Sequence, residues 1–154
     1  MSDNQDNSGE AQASAPVIGF DIGLSDTSEL TYDIPFSFDA DGKASAGITV
    51  VGKNSQQYKD ADRALSRVAL KKSAVRGRPL DLKKDSDSDE FLDQRESTNV
   101  ALAVAITVGW FGLTDKGAEF PFSKAAAQML YSKNSVVRDK VLVAVEDASN
   151  FLKR

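Results

Sequence analysis

The sequence predicts an α+β fold, mainly α, in which an amino-terminal β-hairpin packs on about four helices. Three observations predict it. Leu30, Tyr32, Ile34, Phe36 and Phe38 recur at every second position, the period of a half-buried strand. Tyr58, Ala61, Leu65, Val68, Lys72 (by its stem) and Val75 recur at spacings of three and four, which gives a helix one apolar stripe. Further along, the helical spacing returns behind side chains suited to cap helices, Ser123 and then Asn134 or Ser135.

Taken in order, residues 1–16 are rich in Ser, Asn, Asp, Gln and Ala with almost nothing to bury, which predicts a disordered leader ahead of a single globular domain over 17–154. Glu29 to Phe38 reads as a strand, Asp39-Ala40-Asp41-Gly42 as a turn and Ala46 to Val51 as a returning β-branched strand. A lone hairpin is marginal in water, so its apolar face should lie against helices. Asn54 is placed to cap the first helix, with Gln57 three residues on, and that helix should run to about Arg76. Gly77 and Pro79 stop it, and the polar stretch about 77–88 reads as a flexible linker.

A second helix should begin near Asp87 or Asp89, whose charge suits a helix amino terminus, and continue through the apolar run Val100 to Val108. Being apolar nearly all round, that run marks the centre of the fold. Gly109-Trp110-Phe111-Gly112-Leu113 ends this helix, and Asp115-Lys116-Gly117 reads as a tight turn toward Phe120-Pro121-Phe122. Ser123 caps a short helix through Tyr131, and a last helix carries Val137, Val141, Val145, Ala148 and Leu152. No internal repeat is visible.

Composition narrows function by what is missing. The 154 residues include neither cysteine nor histidine. That removes thiolate nucleophiles, disulfides, Cys/His zinc sites and the side chain best suited to proton transfer near neutral pH. The expectation is a protein that is not an enzyme and needs no cofactor. The amino terminus has no basic segment followed by an apolar one, so it does not read as a secretion signal. Val100 to Val108 is far shorter than the roughly 20 apolar residues of a membrane span, so no membrane partner is expected. A net charge of −4 disfavours general affinity for nucleic acid.

Local motifs offer little chemistry. Asp85-Ser86-Asp87-Ser88-Asp89 alternates oxygens as a calcium loop does, but lacks that loop's glycine and terminal glutamate. Arg67, Lys71, Lys72, Arg76, Arg78, Lys83 and Lys84 form a basic segment without interleaved aromatics, and the acidic run beside it can neutralise it. Lys53-Asn54-Ser55 lacks phosphate-loop spacing, and the glycines lack the setting of a dinucleotide fingerprint. Trp110, Phe111, Phe120 and Phe122 gather around one predicted turn, where four aromatics serve either as core or as a partner-binding surface.

The order of these features resembles a known family. Gly52-Lys53-Asn54-Ser55 with Tyr58 opening a helix, Gly109-Trp110 closing the central one, Pro121-Phe122-Ser123 opening a short helix with Ala127 and Leu130, and a terminal Asn150-Phe151-Leu152 are together similar to the tail assembly chaperones of tailed bacteriophages. The resemblance runs from about Ala46 to Leu152. The chain departs from the pattern at Asn54, where an aspartate is expected, and at Ser135, near which a proline is frequent. The resemblance implies a non-catalytic protein of the host bacterial cytoplasm that binds the tape-measure protein during tail morphogenesis and leaves before the virion is complete. It leaves self-association open. Two alternatives stand beside it: a structural tail or neck protein retained in the virion, and a small nucleic-acid-binding regulator.

Overall fold

Alternation along residues 31–51 builds a hairpin, and a third strand that periodicity did not announce completes its sheet. The computed structural model describes residues 27–152; the leader expected over 1–16 lies outside them. Strand β1 (Thr31–Phe38) pairs antiparallel with β2 (Ala44–Val51), Ile34 opposite Ile48. The turn between them is held by Asp39, whose Oδ1 accepts the backbone N–H groups of Asp41 and Lys43 at 3.0 and 2.9 Å, while Gly42 takes a φ of 76°. That is left-handed backbone, which glycine adopts without steric cost.

Helix α1 (Gln56–Arg76) follows. Its cap is Ser55, not Asn54: the buried Ser55 hydroxyl accepts the N–H of Tyr58 at 3.2 Å and donates to the Gly52 carbonyl at 2.7 Å. Asn54 instead donates through Nδ2 to the Thr27 hydroxyl at 2.7 Å, tying the strand entry to the helix start. Gly77 ends α1 with φ 68°, its N–H donated to the Ser73 carbonyl.

Helix α2 (Asp85–Ile106) begins two residues ahead of Asp87 and stops short of the predicted end. Residues Thr107–Phe111 leave the helix as strand β3, which pairs antiparallel with β2, so the sheet has the order β1-β2-β3. The apolar run predicted as one helix is therefore split. Two side chains explain where. The Thr107 hydroxyl donates back to the Ala103 carbonyl at 2.8 Å, and Lys124 places its ammonium against the carbonyls of Val104, Ala105 and Thr107 at 2.8, 3.1 and 2.7 Å. A cation at the carboxyl end of a helix satisfies the carbonyls that lack an intrahelical partner and complements the dipole. Burial without compensating carboxylates holds the Lys124 pKa below the usual lysine range.

The remainder follows the predicted order. Strands β4 (Thr114–Asp115) and β5 (Ala118–Glu119) flank the expected tight turn, with positive φ at Lys116 and Gly117. Helix α3 (Lys124–Lys133) is capped by Ser123 and α4 (Ser135–Glu146) by Asn134. The last helix ends earlier than its spacing implied, at Glu146, and Ala148–Phe151 form a turn of 3₁₀-helix. The fold is α+β and mainly α, and no described helix is long and apolar enough to cross a membrane.

Ile34, Ile48 and Val50 of the sheet meet Val100, Ala103 and Ile106 of α2, Ala127 and Tyr131 of α3, and Val141 and Val145 of α4. Tyr131 is fully buried, and its hydroxyl lies 2.6 Å from Thr107 Oγ1, so the point where helix becomes strand is hydrogen-bonded in the core. The phenol is pushed up to about 12 by burial.

Candidate protein-binding surface

Helix α1 has no buried residue. Tyr58, Ala61 and Leu65 of its predicted stripe are half-buried, but Val68 is 50% exposed and Val75 89%. The stripe therefore meets the core at Tyr58 and turns to solvent beyond Leu65, where Ala69, Ser73 and Arg76 border α2 instead. Leaving the sheet behind, the two helices form a hairpin whose far end is built mostly from their own side chains. Among the described residues, six of the twelve large exposed apolar side chains lie here: Val68, Leu70, Val75, Leu82, Phe91 and Leu92. Half of the exposed apolar side chains lie in under a quarter of the chain; Val68 and Val75, seven residues apart, share one face of α1, and Leu70 points to the opposite side.

Ion pairs fix the geometry of this end. Arg78 binds the buried Asp87 through two hydrogen bonds, and the N–H of Asp81 donates to the same carboxylate at 2.8 Å. Arg76 pairs with Glu90 across the seam. Two members of the basic segment are thus neutralised by the acidic run, as their adjacency suggested. Lys71, Lys72 and Arg95 make no ion pair among the described residues.

Two hollows open along the seam. One of about 330 Å³ is bordered by Ala69, Ser73, Leu80, Phe91 and Arg95, and another of about 490 Å³ by Lys71, Lys72, Val75 and Glu90. Arg76 borders both. The first has the apolar floor and polar rim of a side-chain pocket.

The aromatic corner singled out from sequence is only partly brought together. Trp110 stacks on Phe120 with ring centroids 5.2 Å apart, meets Phe122 edge-on at 5.0 Å, and donates its indole N–H to the Phe120 carbonyl at 2.6 Å. Phe111 lies elsewhere. Trp110 stands opposite Ile48 and Phe111 opposite Gly47 in the ladder, and successive strand residues point to opposite faces. Phe111 packs over Gly47 on the far side of the sheet, so close that a Cβ at Gly47 would sit 2.7 Å from its ring. All four aromatics are half-buried. Trp110, Phe120 and Phe122 pack the corner, with Trp110 and Phe122 against the core, and leave a rim of ring surface; Phe111 covers the other face of the sheet.

The side chains with the clearest ionisation shifts do not converge. Tyr131 lies in the core, Lys124 closes the end of α2, and Asp87 is held below the usual carboxylate range by Arg78 and the Asp81 N–H at the hairpin tip. Each is engaged by a structural partner. The described residues contain no group of three or more acidic side chains placed to hold a metal, and both oxygens of Asp87 in the calcium-like run are taken. The exposed face of the hairpin was not singled out from the sequence. Its signal was present in Val68 and Val75, which continue the stripe beyond any element available to cover them.

Compared with protein-family models, with curated proteins and with solved structures, the chain matches none.

Proposed function

We propose that the chain is a tail assembly chaperone of a tailed bacteriophage, a non-catalytic protein that binds apolar helical stretches of the tape-measure protein during tail morphogenesis in the host cytoplasm. The observation that carries the reading is the α1–α2 hairpin, where Val68, Val75, Phe91 and Leu92 stay exposed on a scaffold anchored by a separate core. A holding protein needs apolar contact surface together with charge that keeps it dispersed. The hairpin supplies the first, and a net charge of −4 contributes to the second. The order of sequence features resembling that family supports the same reading.

Recovery of the tagged chain from infected cells, with every bound protein identified and its amount compared with purified virions, tests it. The expected result is a very long helical tail protein bound to the chain, and the chain itself missing from particles. Co-recovery with tube or connector proteins, and persistence in virions at fixed stoichiometry, would replace the chaperone reading with a structural one.

A further inference from the structure

We infer that the hollow between Thr27, the first described residue, and the 3₁₀ turn at the carboxyl end is the seat of the chain's own Leu24, so that residues 20–24 strap the beginning of the domain to its end. The inference is independent of the holding role. Val145 and Phe151, both buried, form the floor of this hollow of about 260 Å³, and Leu152, 56% exposed, stands on its rim. Gly52 supplies a wall of bare backbone, set so close to the Phe151 ring that a Cβ there would lie 2.9 Å from it. Lys53 and Glu146 border the opening as an ion pair, so their charges already match and do not ask for an ionic ligand. The volume falls below the roughly 300–1,000 Å³ of a small-molecule pocket and suits one or two apolar side chains.

The position of Thr27 and the residues ahead of it name the occupant. Thr27 borders the hollow and is pinned there: its hydroxyl accepts from Asn54 Nδ2 at 2.7 Å, and its carbonyl accepts the Leu30 N–H at 3.2 Å. Upstream, Ile18, Phe20, Ile22 and Leu24 recur at every second position with only glycine or aspartate between them, the pattern of an extended segment with one apolar side. Leu24 stands three residues before Thr27, and an extended chain of that length spans about 10 Å, enough to enter a hollow that Thr27 already borders. Ile22 falls on the same side of the segment, where it can cover the exposed part of Leu152. A segment tethered this closely competes at a high effective concentration, an advantage that no separate partner has.

The chain contains no cysteine, so introduced pairs report the seat directly. Leu24→Cys combined with Ala148→Cys, an exposed position bordering the hollow, should close a disulfide within one chain at least about tenfold faster than Leu24→Cys combined with Gln57→Cys. Gln57 is also exposed, but borders a separate hollow that shares only Asn54 with this one. Leu24→Ser in the full chain should speed hydrogen exchange of the amides in 145–152 at least about tenfold, as expected when a leucine leaves a buried seat, while Leu24→Met should hold exchange near the parent's. Equal rates for the two cysteine pairs, or exchange that Leu24→Ser leaves unchanged, would overturn the assignment. A disulfide that joins two chains instead of closing within one would overturn it too, and would give the seat to the Leu24 of a second copy.

Discussion

Arg78 closes on Asp87 with Nη1 2.5 Å from Oδ2 and Nη2 2.9 Å from Oδ1, a two-pronged pair that spans the connection between α1 and α2. The match of a planar guanidinium to a carboxylate fixes both the distance and the orientation of the two helix ends. The exposed apolar face depends on that closure, because little else at the tip is buried.

The pair makes hairpin closure sensitive to acid. Arg78 first, and the Asp81 N–H second, hold the Asp87 carboxyl below its ordinary value. A carboxylate whose folded pKa is depressed stabilises the fold fully above its unfolded value, about 3.9, and loses that contribution as pH falls further, through the folded value. Hydrogen exchange of amides in 77–90, corrected for intrinsic rates, should therefore accelerate below about pH 4 before exchange in α4 does. Asp87→Asn should accelerate the same amides at neutral pH. Unchanged exchange at the tip in that variant would show that the pair does not close the hairpin.

Tyr131 and Thr107 meet in the core, and the contact should be measurable from both sides. Tyr131→Phe removes a buried hydroxyl while the Thr107 hydroxyl keeps the Ala103 carbonyl, so the expected loss is about 1 kcal/mol by denaturant unfolding. The raised phenol has the opposite pH sense to Asp87: its contribution is complete below the unfolded value of about 10 and is lost as pH rises through about 12. Tyr131→Phe should weaken the fall in stability above pH 10. An identical alkaline profile in both proteins would contradict the burial argument.

The two glycines flanking Trp110 and Phe111 should behave differently. Gly112 has φ 65°, and a Cβ there would meet the Ser45 carbonyl at 2.0 Å, whereas Gly109 faces open space. Gly112→Ala combines left-handed strain with a backbone clash and should cost roughly 2–4 kcal/mol. Gly109→Ala should stay within about 1 kcal/mol of the parent and can raise stability by restricting the unfolded chain. Equal losses at both positions would place the β3 turn differently.

What the sequence revealed of this fold follows from where its signals are local. The Asp39–Gly42 turn and the caps at Ser123 and Asn134 are decided by neighbours within a few residues, and the structure has them as read; the alternation from Leu30 holds to Ile34 and then breaks at a bulge around Phe36, which leaves Phe38 exposed. The split of Val100–Val108 was not legible, because a run of apolar and β-branched residues suits a buried helix and a strand alike, and β3 forms only by pairing with β2, far back in the chain. Lys124 and Tyr131, far along the chain, fix where the helix stops. The same limit applies to the candidate surface. Trp110, Phe120 and Phe122 share a predicted turn and do meet, but the third strand carries Phe111 to the other face. The stripe through Val68 and Val75 showed an apolar face without showing that nothing in the fold covers it.

Function and stability should separate at that face. Val68→Ser and Val75→Ser replace exposed side chains, so each should change unfolding free energy by no more than about 0.5 kcal/mol. Loss of more than about 1 kcal/mol in both would mean that the hairpin end packs against the body of the protein.

The most direct test of the holding role is the solubility of the tape-measure protein when it is produced together with this chain, compared with its solubility beside a Val75→Ser/Phe91→Ser variant whose melting curve matches the parent. The account predicts that the parent keeps the long protein in the soluble fraction and that the variant leaves most of it in the pellet. Equal soluble amounts beside parent and variant would contradict the assignment of holding to the α1–α2 hairpin, and a tape-measure protein as insoluble beside the parent as on its own would contradict the chaperone role itself.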